Sequence, residues 1–159
     1  MKQKIFSFLA LIVLLSQSAL AIDPANRKTM ALPSDKLTWD MLKDVTFKKK
    51  WYPQESIYML YPTFGPGVKK LENKEVTIKG YVIPVDAATN VYVLSAFPYS
   101  QCFFCGGAGP ESVMSLKPKK GASKKYKTDE MHTFTGKLKL NADDIYEMNY
   151  ILEEAEVIE

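Results

Sequence analysis

Glu75-Val76-Thr77-Ile78-Lys79-Gly80-Tyr81-Val82-Ile83-Pro84 is the stretch on which the fold turns. Val76, Ile78, Gly80 and Val82 fall on one side of a two-residue period, with Thr77, Lys79, Tyr81 and Ile83 on the other, which is the pattern of a half-buried strand. Gly80 marks a bend of the kind a small barrel needs where it coils, and Pro84, with no N–H to give to a ladder, ends the run.

Working outward toward the C-terminus, the Ala87-Ala88-Thr89-Asn90 turn leads into a second strand, Val91 to Phe97. Ser112 to Leu116 reads as a third, stopped by Pro118, and Thr133 to Leu140 as a fourth. Asn141 is expected to cap a short helix over Ala142 to Met148, and Tyr150 to Ile158 returns as a fifth strand. The class is therefore mainly β with short helices. The architecture expected is a small, partly closed five-stranded barrel resembling an OB-fold, with its helix displaced to lie between the fourth and fifth strands.

Toward the N-terminus, Thr38 is placed to cap a helix that starts at Trp39, carries Trp39, Leu42 and Val45 on one face and ends at Lys48-Lys49-Lys50. Trp51 to Gly67 holds Pro53, Pro62 and Pro66 among Trp51, Tyr52, Tyr58, Tyr61 and Phe64. It reads as an irregular segment whose rings cover a sheet, with a binding surface as the alternative use of the tyrosines. Residues 22–36 read as a flexible leader and residues 37–159 as one domain. Residues 1–21 have Lys2 and Lys4, an apolar run around Phe8 to Leu15, and small residues at Ala19 and Ala21, the pattern of a signal peptide cleaved near Ala21.

Removing those 21 residues and their two lysines from a chain of 159 residues and net charge +3 leaves 138 residues at +1. A nearly neutral domain has no global field to concentrate polyanions, so nucleic acid is not an expected partner. No second apolar run approaches the roughly 18 residues a membrane helix needs, so no membrane span is expected and the product is expected to be periplasmic or secreted. Lys117 to Lys127 holds six lysines, read as a solvated loop or, alternatively, as a patch for anionic lipid or an acidic partner.

Both cysteines lie in Gln101-Cys102-Phe103-Phe104-Cys105-Gly106-Gly107-Ala108-Gly109-Pro110. In an exported protein a disulfide between Cys102 and Cys105 is one reading, although so short a loop removes little entropy from the unfolded chain. A thioredoxin-type site needs a helix N-terminus in a βαβ context, and three glycines and a proline inside an all-strand pattern do not supply it. Metal ligation by Cys102 and Cys105 with His132 is the other reading. Zinc takes four ligands and would need a carboxylate such as Glu111, Asp129 or Glu130, or a second copy of the chain; copper as Cu(I) accepts fewer, softer donors, with Met114 or Met131 as candidates. No phosphate loop, nucleophile elbow or helical His pair is present, and Asp143-Asp144 and Glu153-Glu154 are adjacent rather than face-matched.

Leu37-Thr38-Trp39-Asp40-Met41-Leu42, the strand Val76 to Pro84 and the segment Cys102 to Val113 together resemble an uncharacterised family of exported bacterial proteins with a domain of unknown function, over roughly Leu37 to Glu156. Members usually carry prolines after the second cysteine, and Gly106-Gly107-Ala108-Gly109-Pro110 resembles the Bacteroidetes-type variant. The resemblance implies an envelope protein that assists transporters, metals among their cargo, and it brings no established activity. The expectation is an exported, non-enzymatic periplasmic accessory protein whose Cys-x-x-Cys turn binds zinc or copper, or docks with an envelope transporter or metal-handling protein. A thiol–disulfide redox protein cycling Cys102/Cys105 and an interaction module with a structural disulfide are the alternatives.

Overall fold

The computed structural model describes residues 34–86, 88–122 and 124–159; the expected signal peptide and all but the end of the expected leader lie outside them. Ten elements follow in order: β1 (Asp35–Lys36), α1 (Trp39–Leu42), β2 (Val45–Tyr52), β3 (Ile57–Phe64), α2 (Pro66–Lys69), β4 (Glu75–Asp86), β5 (Val91–Ser95), β6 (Val113–Pro118), β7 (Glu130–Leu140) and β8 (Tyr150–Val157). Five strands close a barrel in the order β4-β5-β6-β8-β7 and back to β4, with β1 added along β4 and β2–β3 forming a separate hairpin.

The closure depends on β4. At twelve residues it is long enough to pair with β7 over Glu75 to Val82 and with β5 over Tyr81 to Asp86. Its inward residues are those of the alternation, Val76, Ile78, Gly80 and Val82, all buried. A β-carbon at Gly80 would lie 2.7 Å from the Ser95 carbonyl and 3.1 Å from the Trp39 ring, so glycine is what lets β5 and α1 close over this point. β6 and β8 run parallel, the other four barrel pairings antiparallel. The result is a small OB-like barrel around Val76, Ile78, Leu94, Met114, Phe134 and Leu152.

α1 starts where expected, with the Thr38 hydroxyl accepting from Met41 N–H at 3.4 Å, but it lasts one turn. Val45, placed by the sequence on the helix, opens β2, and Lys48-Lys49-Lys50 lies within that strand. The competing interaction is tertiary: β2 pairs with β3 at eight consecutive positions from Val45↔Phe64 to Tyr52↔Ile57. The Asp44 carboxylate accepts from Gly67 N–H at 2.7 Å and Val68 N–H at 3.3 Å, capping α2. The segment expected to be irregular is thus a regular hairpin followed by a helical turn. Of its three prolines, Pro53 sits in the turn and Pro66 at the start of α2, where a missing N–H is tolerated, while Pro62 lies within β3 opposite Phe47.

Three further expectations change. β4 does not end at Pro84, which pairs with Tyr92, but runs on to Asp86 opposite Val91. The end of the leader is structured, with Asp35 and Lys36 pairing parallel to Val76 and Thr77. Residues 142–148 form no helix, because the Asn141 side chain holds the segment as an irregular loop. Its Oδ1 accepts from Asp143 N–H at 3.2 Å and Asp144 N–H at 2.9 Å, and its Nδ2 donates to the carbonyls of Asp144, Glu147 and Met148. The lysine loop is tied to the barrel through Lys119–Glu156 at 2.5 Å and through the Tyr126 ring, which packs edge-on against Tyr92 and Phe134 with Lys124 over its face, and Lys117 pairs with Glu147 of the 142–149 loop at 2.6 Å. Among the described residues no helix is long and apolar enough to cross a membrane.

Candidate functional site

The Cys segment links β5 to β6 through three short 3-10 turns, Tyr99–Gln101, Phe103–Cys105 and Pro110–Ser112. Its ends are pinned. Ala96 N–H donates to Ser112 O at 2.9 Å, closing the base, and Tyr99 N–H donates to the Asp129 carboxylate at 2.7 Å. Within the turn the Cys102 carbonyl accepts from Cys105 N–H at 3.1 Å and Gly107 N–H at 3.2 Å. Gly106 has φ +75°, the left-handed region, and a β-carbon at Gly107 would lie 2.5 Å from the Gln101 carbonyl oxygen. Both glycines are therefore required by the turn itself.

The two thiols face different surroundings and are not bridged. Cys102 is fully buried in a small cluster with Ile83, Val93 and Val113, against which Phe103 and Met148 pack. Cys105 is exposed, and its Sγ–H donates to the Tyr99 carbonyl at 3.1 Å. The sequence anticipated the pair but not Met148, which comes from the loop before β8; a single methionine in a segment expected to be helical gave no signal. Of the two methionines named from sequence, Met114 is buried in the barrel core and Met131 is exposed on β7.

His132 is not brought to the cysteines as part of a ligand set. It sits on β7 opposite Gly80, its ring edge-on to Tyr126 and Phe134. Its Nδ1 lies 3.2 Å from the Glu159 carbonyl and its Nε2 3.3 Å from Glu130 Oε2. That hydrogen bond is the main cause holding the Glu130 carboxyl below its usual range. Asp129 is committed to Tyr99 N–H, and Glu111 lies beside Gly109 at the end of the turn. Among the described residues no three or more His, Cys, Asp and Glu side chains are grouped to hold a metal ion. The donor set of the turn is thus two sulfurs.

Beside the turn runs a groove of about 330 Å³ between β3 and the 142–149 loop. Tyr58 and Leu60 line one wall, and Phe103, Ile145 and Met148 the other, with Asp143 and Asp144 on the same side. Phe103 and Met148 thus belong both to the groove and to the surroundings of Cys102. Tyr146 Oη donates to Glu55 Oε1 at 2.9 Å, tying the loop to the hairpin turn. The tyrosine-rich segment therefore does line a surface, while Phe64 covers the core against Tyr150 at 5.6 Å.

Compared with protein-family models, with curated proteins and with solved structures, the chain gives no match.

Proposed function

We propose that this is an exported accessory protein of the bacterial envelope, with no catalysis of its own, that holds Cu(I) between Cys102 and Cys105. The observation that carries the reading is a pair of unbridged thiols three residues apart in a turn fixed by glycines, with no third His, Asp or Glu donor grouped beside them among the described residues. That set fits the metals differently. Zinc in a structural site takes four ligands, whereas Cu(I) is satisfied by two thiolates, with a thioether as an available soft neighbour. Met148, packed against the Cys102 cluster, supports that part of the reading. Exposed Cys105 gives the ion its way in, and buried Cys102 shields it from water. The signal-like N-terminus and the resemblance to exported proteins support the compartment.

Anaerobic titration of the reduced mature protein with Cu(I), against a competing chromophoric chelator, tests this. One Cu(I) per chain is expected, lost in both Cys102→Ser and Cys105→Ser and kept in His132→Ala. Absence of binding, or binding that survives both serine variants, overturns it. Thiol alkylation and mass spectrometry on protein taken directly from cells separates the redox alternative: a pair that shifts between bridged and free forms with the redox state of the envelope favours disulfide cycling over metal capture.

A further inference from the structure

The hairpin leaves the outer edges of both its strands without a strand partner, and the β3 edge forms a wall of the groove. The β2–β3 sheet has only two strands, and among the described residues no hydrogen bond from the barrel reaches the backbone of Ile57 to Phe64. An open edge is a template for main-chain pairing, and proteins usually blunt it with lysine. Here the two edges differ. β2 carries Lys48, Lys49 and Lys50, whereas β3 from Ile57 to Tyr61 carries no charge at all. All five of those residues line the groove, as expected when a strand presents its edge and both of its faces to one cleft.

The opposite wall supplies what an incoming strand needs. Phe103, Ile145 and Met148 are apolar, which suits alternate side chains of an extended segment. Asp143 and Asp144 stand beside them, and neither carboxylate makes an ion pair among the described residues. A second copy of this chain is a poor occupant: its own β3 brings no cation between Ile57 and Tyr61 to meet the two carboxylates, and its β2 brings Lys48-Lys49-Lys50 in place of apolar side chains for the groove, with Lys49 and Lys50 already over the Tyr58 and Tyr61 rings. We propose that the β3 edge accepts an extended segment of a partner protein as an added strand, with apolar side chains in the groove and a Lys or Arg against Asp143 and Asp144. Strand addition of this kind draws affinity from main-chain hydrogen bonds and specificity from alternate side-chain pockets.

The test uses reduced mature protein and a pool of labelled nonapeptides that alternate Val, Ile or Leu with Ser or Thr and carry one Arg, read by fluorescence anisotropy. Members of the pool are expected to saturate at or below about 100 µM. N-methylation of alternate amides in the tightest peptide is expected to weaken it by about 100-fold through the lost main-chain hydrogen bonds. Asp143→Asn with Asp144→Asn is expected to weaken Arg peptides by about fivefold and leave Arg-free versions unchanged. Asn keeps the side-chain oxygen with which Asp144 accepts from Tyr146 N–H, so the loop is preserved. Amides of Ile57 to Tyr61 are expected to gain exchange protection in the complex. No saturation by any peptide up to about 1 mM, equal binding of the N-methylated form, or a dimer in sedimentation that Leu60→Lys dissociates would each overturn the proposal. Because both cysteines remain in these variants, failure here leaves the Cu(I) reading standing, and failure of Cu(I) binding leaves this one standing.

Discussion

At the scale of the residue, two positions concentrate the physical demands of the fold. Gly107 is one: a methyl group there meets the Gln101 carbonyl oxygen at 2.5 Å, an unyielding backbone atom. Gly107→Ala is expected to cost about 1–3 kcal/mol in urea unfolding and to speed alkylation of Cys102, because the turn that buries it must open. A wild-type midpoint and an unchanged Cys102 rate would show that the turn is softer than its geometry implies. Tyr150 is the other. Its hydroxyl donates to the Leu42 carbonyl at 2.7 Å inside the core, and burial first, then the Glu111 and Asp44 carboxylates, push its phenol pKa upward. The sign follows directly. The unfolded phenol ionises near about 10 and the folded one only above that, so the native state holds the proton longer. Stability from this group is complete below about pH 10 and declines as pH rises beyond it. Tyr150→Phe should cost about 1–3 kcal/mol at neutral pH through the orphaned Leu42 carbonyl, and should flatten the alkaline part of the stability curve between about pH 10 and 11. An unaltered alkaline slope in that variant would assign the decline to other groups.

At the scale of the element, the Asn141 loop shows how one side chain replaces a helix. Five backbone groups of residues 143–148 are satisfied by a single amide. Asn141→Ala is expected to destabilise by about 1–3 kcal/mol. Asn141→Asp should do no better, since it keeps the acceptor but sets a carboxylate against three carbonyls; recovery to wild-type stability in the Asp variant would mean the Nδ2 bonds contribute little. The same loop explains where the sequence was legible and where it was not. The five barrel strands were readable because β4 and β7 alternate about a buried face and β5, β6 and β8 carry short apolar runs, and Thr38 because capping is local. The sequence marks Asn141 as the cap of a helix that does not form, because propensity does not say whether a capping side chain starts a helix or substitutes for one. β2 and β3 were hidden for a different reason. Lys48-Lys49-Lys50 shows no polar alternation, and Trp51, Tyr58 and Leu60 remain about half exposed or more, so pairing with a distant strand, not burial, sets their conformation. The cysteine pair was visible as a motif, while Met148 and the groove depended on three segments brought together only by folding.

At the scale of the whole molecule, the barrel and the hairpin should differ in how much of the fold rests on them. β8 comes last in the chain, yet it pairs with both β6 and β7 and buries Tyr150, Leu152 and Ala155. Without it, β6 and β7 each present an open edge and the core faces water, so a chain ending at Asn149 should show no cooperative thermal transition. The hairpin is attached chiefly at its base, where Phe64 enters the core, Val45 packs against it and Gly65 N–H donates to Asp44 O at 2.7 Å. Its upper part, from Lys48 to Tyr61, contributes Trp51 stacked edge-on against Tyr58 at 5.0 Å, with both rings largely exposed. Replacing residues 48–61 by Asn-Gly keeps the Phe47↔Pro62 and Val45↔Phe64 pairs and closes them with the dipeptide that favours a tight hairpin turn. The shortened protein is expected to retain one cooperative transition, lowered by no more than about 8 °C, and full Cu(I) binding, while losing peptide capture entirely. Collapse of the transition in this variant would place the upper hairpin within the cooperative core, and native-state hydrogen exchange would then show Ile57 to Tyr61 as protected as β4. Retained peptide capture would move the docking site off β3 altogether.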